Sequence, residues 1–335
     1  MIKNYKVQNM KFWEGRVDSE SDYDSFRWHQ VVKPLDLNDE NLKTFDGKLA
    51  FCFIGFESDL GIKKNKGRLG AAMGPEAIRH ELANKPCNFS KDLGLFDAGN
   101  VSADGLSLDE AQGILASCVE RLLELNYFPI VLGGGHETTF GHYKGVFSYL
   151  NKREDKPNIA IVNFDAHFDN RPYKDQGPSS GTMFRQIHDL NLENDLTYNY
   201  MVMGIQKSSN TVSLFKYADE TKTQYVLARE IANGDLYPVF DRLDDFLIDM
   251  DHVYMTVCSD VFNSSNAPGV SAPQPFGLNP ELVVKLIKYV LNSGKTISFD
   301  ICEVSPRFDQ DNTTASVAAV VIFTVVTKLA ARVHR

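Results

Sequence analysis

Asn163-Phe164-Asp165-Ala166-His167-Phe168-Asp169-Asn170-Arg171 follows a short apolar run at residues 159–162. That run has the length and Ile/Val content of a buried parallel strand, so the polar residues after it are expected at the strand's carboxyl end. In open α/β sheets ligands bind there. Asp165, His167 and Asp169 alternate, and an extended backbone puts all three side chains on one face. One imidazole between two carboxylates is a ligand set for a divalent metal, better suited to Mn²⁺ or Zn²⁺ than to a soft metal. The alternative for the same residues is a helix N-terminus with acidic caps.

Outward from this stretch, strand-like and helix-like segments alternate. Strands are expected at 49–56, 92–96, 128–132, 199–205, 224–228, 253–257 and 296–299. Helices are expected from Pro75 to residue 83, over 107–125 behind a capping box of Ser107 and Glu110, from Thr138-Thr139 to about 149, and over 184–190. Three more follow: 236–250 behind Asp235, one from Pro280 behind Asn279, and one closing the chain. There is no repeat and no Pro/Ser/Gly linker. The expectation is an α/β fold with one doubly wound, mostly parallel sheet covered by helices on both faces. Residues 1–48, polar with scattered aromatics, are read as an arm packed on a single domain spanning 49–335.

Composition narrows the function. The chain has 335 residues, enough for a large core, and a net charge of -9 with no Lys/Arg cluster. No nucleic-acid or membrane partner is therefore expected. Five unpatterned cysteines, Cys52, Cys87, Cys118, Cys258 and Cys302, favour a reducing compartment. The N-terminus lacks a signal-peptide core, and the longest apolar run, 317–326, is about half of what a bilayer requires. A cytoplasmic protein is expected.

Four strand ends then present chemistry. Gly133-Gly134-Gly135 turns the chain tightly after 128–132 and exposes His136; the second end carries Asp165, His167 and Asp169; the third carries Cys258 and Asp260; the last carries Glu303. Six potential metal ligands ahead of Glu303 exceed what one ion needs, which points to a two-metal hydrolase.

The Gly-Gly-Gly-His-Glu segment and the Asp-Ala-His-Phe-Asp segment, about 30 residues apart, resemble the arginase (ureohydrolase) superfamily. The resemblance implies a three-layer α/β/α fold around an eight-stranded, mostly parallel sheet, with two Mn²⁺ ions bridged by hydroxide. Within the superfamily the chain is most similar to the formimidoylglutamase branch, through residues 65–71, 163–171, 179–186 and 204–206. That likeness implies hydrolysis of a linear amidine, N-formimidoyl-L-glutamate, to glutamate and formamide. Where arginases hold a histidine thought to shuttle protons, this chain has Phe184.

Carried over by position, the resemblance implies that His136 and Asp169 bind one ion, His167 and Asp260 the other, and Asp165 both. Asp169 would also move a proton to the leaving nitrogen, and Glu303 would pair with the cationic amidine. Arg171 and Arg68 are expected to hold the substrate's carboxylates, since arginine binds carboxylate bidentately; a structural salt bridge is the alternative for each. Asn65 and Ser180 are expected beside them.

The superfamily's third motif departs from pattern. Aligned on Ala267-Pro268-Gly269, Asp260 takes the second aspartate position and Cys258 the first, where a bridging carboxylate is usual. A thiolate favours Zn²⁺ or Fe²⁺ over Mn²⁺. The alternatives are a shifted alignment, with Asp260 first and Phe262 second, or a protonated thiol beside one ion or none. Three functions are therefore weighed: a formimidoylglutamase-like enzyme, an agmatinase- or guanidinobutyrase-like one, and a metal-poor, non-catalytic relative. A homo-oligomer is expected from the resemblance.

Overall fold

In a computed structural model of the chain, which describes residues 1–7 and 10–333, the buried strand at the sequence's decisive stretch runs Ile159–Phe164. The strands are β1 (Tyr5–Lys6), β2 (Lys33–Pro34), β3 (Leu49–Glu57), β4 (Leu93–Ser102), β5 (Phe128–Leu132), β6 (Ile159–Phe164), β7 (Asn199–Ile205), β8 (Gln224–Leu227), β9 (His252–Cys258) and β10 (Thr296–Cys302). They form one ten-stranded sheet in the order β1-β4-β3-β5-β10-β9-β6-β7-β8, with β2 also on β4. Among the described residues, strands β3 to β10 pair in parallel throughout, and β1 alone runs antiparallel.

The body of the sheet thus has the expected eight strands, and residues 1–48 add two more. Those two are only two residues long and polar, so no apolar run betrays them. Alternation along β3 shows why the architecture has three layers: Phe51 and Phe53 enter one core, while Ala50, Cys52, Ile54 and Phe56 enter the other. Helices Gly74–Ala83, Tyr237–Leu247, Pro280–Asn292 and Thr313–Val333 cover the first core. Helices Leu108–Glu124, Thr138–Asn151, Met183–Glu193 and Val212–Glu220 cover the second.

Helix Thr313–Val333 is, by length and composition, long and apolar enough to cross a membrane, with a mean hydropathy of 1.9. The apolar run in sequence understated it, because the helix continues on both sides of that run, from Thr313 to Val333. Ala318, Ile322, Val325 and Leu329 are nevertheless buried in the first core, and the helix packs on Gly74–Ala83 and Pro280–Asn292.

Trp28 is fully buried, with its ring beside Phe53 and Phe323. Trp13 is buried as well, and its indole N–H donates to Asp97 Oδ2 at 2.6 Å.

Four strands adjacent in the sheet, β5, β10, β9 and β6, lead to the chemistry-bearing residues. Being parallel, they bring all of those residues to one rim, the carboxyl edge where open sheets bind ligands.

Candidate metal centre and active site

Strand β5 runs into Gly133-Gly134-Gly135-His136. A Cβ on Gly134 would sit 2.2 Å from the Ser58 carbonyl oxygen, so only glycine lets this turn close against the loop after β3. His136 emerges buried. Its Nδ1 lies 2.9 Å from Asp165 Oδ2 and 3.1 Å from Asp169 Oδ2. His167 Nδ1 lies 3.1 Å from Asp260 Oδ2 and 3.5 Å from Asp165 Oδ1. Two histidine–carboxylate clusters therefore share Asp165.

The path that brings Asp165, His167 and Asp169 together is not the simple extended one expected from their alternation. β6 ends at Phe164, the chain bends, and Asp169 takes a left-handed φ of 47°. Phe168 N–H donates to Asn210 Oδ1 at 3.0 Å and Asp165 N–H to the Met203 carbonyl at 3.0 Å, which fixes the bend from neighbouring segments. The helix-capping alternative is not realised: the next helix starts at Met183. Glu303 is also left-handed, at φ 67°. Such conformations cost about 1–3 kcal/mol for non-glycine residues and persist where the surroundings overdetermine them.

Charge in the cleft is unbalanced. Burial opposes the protonated form of His136, yet hydrogen bonds to Asp165 and Asp169 raise its pKa well above the ordinary imidazole value. His167 is raised likewise by Asp260 and Asp165 against the burial effect. Asp165 is buried but held below the usual carboxylate range by the two histidines. Burial and the Asp165 charge push Asp169 up to about 6. Glu303 is raised well above the carboxylate range, first by burial and then by Glu137.

Asp260 Oδ1 and Glu303 Oε2 are buried without a hydrogen-bond partner. Orphaned acceptors and histidine nitrogens aimed at carboxylate oxygens are what a divalent cation seat looks like before the cation is placed. Donor atoms of His136, Asp165 and Cys258 lie within 4.8 Å of one another, as do those of Asp165, His167 and Asp260. The residues present fit divalent-cation binding, and Asp165 belongs to both groups.

Around the donors lies a cavity of about 540 Å³ lined by His136, His167, Asp169, Cys258, Asp260 and Glu303 on its floor. Lys64, Lys66, Arg68 and Arg171 line it as well. Glu303 Oε1 accepts the His136 N–H at 2.9 Å. Asn65 Nδ2 donates to Ser180 Oγ at 3.3 Å, joining two expected substrate contacts at the rim.

Arg68 and Arg171 part company. The Arg68 guanidinium donates to the Val270 and Ser271 carbonyls and lies over the Phe308 ring. It is tied to the loop after β9, which corresponds to the structural alternative with backbone carbonyls in place of an acid. Arg171 takes no part in any ion pair found among the described residues.

Sequence reading missed several contributors. Glu137, pushed up to about 7 by burial, accepts from Ser58 Oγ at 2.9 Å and Gly61 N–H at 2.8 Å. It thereby pins the short helix Leu60–Lys64, which carries Lys64 to the rim. Asp59 Oδ1 accepts from the Ala71 and Ala72 amides and shapes the loop through Arg68. Phe184 stacks on Tyr200 and meets the His136 ring edge-on. Asp300 belongs with them, and a lone acid inside the apolar strand β10 is the sequence signal that marks it.

The fold and the paired clusters define a class. A family model described as the arginase family matches residues 49–327, and the chain belongs to that family. It is 57% identical to a formimidoylglutamase of Clostridium tetani, over 98% of this chain and 97% of that protein. It is 43% identical to a formimidoylglutamase of a Geobacillus species, over 94% of each. Among solved structures, formimidoylglutamase from Bacillus subtilis matches in fold with a TM-score of 0.78, over 95% of this chain and 96% of that one, at 23% identity. Trypanosoma cruzi formiminoglutamase, solved with Mn²⁺, matches in fold with a TM-score of 0.74 over 86% of this chain and 97% of that one, at 24% identity.

Proposed function

We propose that this chain is a metal-dependent hydrolase that cleaves the C–N bond of N-formimidoyl-L-glutamate, giving L-glutamate and formamide. The observation that carries this reading is the polarity of the cleft. Its floor is acidic, with Asp165, Asp169, Asp260 and Glu303, and its rim is basic, with Lys64, Lys66 and Arg171. The substrate has the opposite arrangement: a cationic amidine at one end and two carboxylates at the other. The names of the C. tetani and Geobacillus relatives support the same reading.

His136 and Asp169 would hold one Mn²⁺, His167 and Asp260 the other, with Asp165 shared and Cys258 beside the pair. When bound, the ions supply Lewis acidity and lower the pKa of water so that a nucleophile exists at neutral pH. Glu303 Oε2, buried and without a partner, accepts from the planar N–C–N fork of the amidine, a charge-assisted contact. Asp169 would take up a proton at its carboxylate and pass it to the leaving nitrogen. Arg171, with Lys64 across the rim, binds the substrate's carboxylates and sets the amidine over the floor. Asn65 and Ser180 complete that end of the cleft.

An agmatine-type substrate, cationic at its far end, would meet like charge at Lys64 and Arg171, which disfavours it. A metal-poor, non-catalytic protein would leave Asp260 Oδ1 and Glu303 Oε2 buried without a partner, which disfavours it. We place the enzyme in the cytoplasm, since all five cysteines are free and buried. We also propose that it self-associates as a homo-oligomer, which would cover exposed apolar side chains such as Tyr237, Ile248 and Phe276; sedimentation of the full chain tests this. Release of glutamate from formimidoylglutamate with Mn²⁺, and not from agmatine or guanidinobutyrate, is the expected result. Turnover of agmatine in preference would overturn the substrate assignment.

A further inference from the structure

On the side of its ring away from Asp165 and Asp169, His136 Nε2 lies 3.1 Å from Thr256 Oγ1. Thr256 Oγ1 in turn donates to Asp300 Oδ1 at 2.6 Å. Thr256 on β9 and Asp300 on β10 are register partners, so the sheet itself sets this contact. Asp300 is a hub: its Oδ2 also accepts from His142 Nδ1 at 2.7 Å and from the Tyr254 hydroxyl, and its Oδ1 accepts from Cys302 Sγ at 3.4 Å. Thr256 Oγ1 has a second neighbour, Thr139 Oγ1, at 3.1 Å. Every one of these side chains is buried.

Proton counting decides the direction of each bond. A carboxylate only accepts, so the single Thr256 hydroxyl proton goes to Asp300 at the shortest of the contacts. The Thr256 oxygen must then accept from His136 Nε2–H. A neutral His136 is therefore the Nε2–H tautomer, and its Nδ1 lone pair faces Asp165 Oδ2 and Asp169 Oδ2, an arrangement that needs either a proton on Nδ1 or a metal ion held with these carboxylates. The edge-on Phe184 ring holds the imidazole plane.

We infer that Thr256 and Asp300 are positioning residues: they lock His136 in the tautomer and orientation that offer Nδ1 to a metal ion. The inference rests on the metal-centre reading above and extends it to residues that touch neither substrate nor metal. Outer-shell partners of metal-bound histidine typically contribute 10–100-fold in metal affinity.

The test is a Mn²⁺ titration by calorimetry of the full chain after chelator treatment, comparing the parent with Thr256→Val and Thr256→Ser. Valine keeps the shape and removes the acceptor, and serine restores it. Affinity should fall about 10–100-fold in Thr256→Val and stay within about threefold of the parent in Thr256→Ser. A Thr256→Val protein that binds Mn²⁺ as the parent does overturns the inference alone. A parent that binds no Mn²⁺ overturns the metal reading and this inference together. Should Thr256→Val fail to fold, ¹⁵N-histidine spectra of the Zn²⁺-loaded parent decide: Nε2–H on His136 is expected, and Nδ1–H overturns the inference.

Discussion

The Cys258 thiol and the Asp165 carboxylate belong to one buried donor cluster, within 4.8 Å of each other. Burial pushes the thiol pKa well up, and Asp165, Asp260, Glu303 and Asp169 push it further, so without metal the sulfur is neutral. A carboxylate is a harder ligand and suits Mn²⁺ better. Cys258→Asp should therefore raise Mn²⁺ affinity by about tenfold, roughly 1.4 kcal/mol, and raise activity at limiting metal. Metal titration with a parallel rate measurement checks this. A fall in both would make the thiol a functional ligand.

Metal binding should release protons. In the metal-free protein His136 and His167 have raised pKa values, held up by Asp165, Asp169 and Asp260. Their contribution to stability is complete below the unfolded imidazole value of about 6.5 and is lost as pH rises through the folded-state values. The metal-free protein should thus lose thermal stability as pH rises above neutrality, while Mn²⁺ affinity increases over the same range. Calorimetry in buffers of different ionisation enthalpy should record net proton release; binding without it would contradict the protonated histidine pairs.

The two rim arginines should separate kinetically. Arg171→Met removes a charge-assisted contact worth about 1.5–3 kcal/mol, so KM for formimidoylglutamate should rise roughly 10- to 100-fold with kcat much less affected. Arg68→Met removes donors to the Val270 and Ser271 carbonyls and should chiefly lower stability, by about 1–3 kcal/mol. Steady-state kinetics and urea unfolding on both variants would show the split.

One buried carboxylate, Asp97, ties Trp13 of the N-terminal segment to the body of the fold. Asp97 accepts from Trp13 Nε1 at 2.6 Å, Arg79 Nε at 2.7 Å and Gly99 N–H at 2.8 Å. Asp97→Asn leaves the Arg79 charge buried and should cost about 3–5 kcal/mol, whereas Trp13→Phe should cost about 1 kcal/mol. Denaturant midpoints would rank them.

Much of the framework could be read from the chain because its strands are buried on both faces and so stand out as apolar runs; Phe128–Leu132 and Asn199–Ile205 fall where expected. Caps were equally legible: Ser107 with Glu110, and Asn279 before Pro280, both make their bonds. β4 runs on to Ser102, past the expected end at residue 96; the polar Asp97 and Gly99 lie where its register against β3 shifts rather than at its end. The donor residues were visible as polar breaks after strands. Thr256 was not, since its role comes from the pairing of β9 with β10, which sets it against Asp300, 44 positions away, and no local pattern encodes that.

The most direct test of the proposed function is glutamate release from N-formimidoyl-L-glutamate by the full chain, first stripped with chelator and then titrated with Mn²⁺, with bound metal counted in the same samples. Activity should be absent in the stripped protein and rise to a plateau at two Mn²⁺ per chain. Full activity with no metal bound, or two bound ions with no glutamate released, would contradict the account.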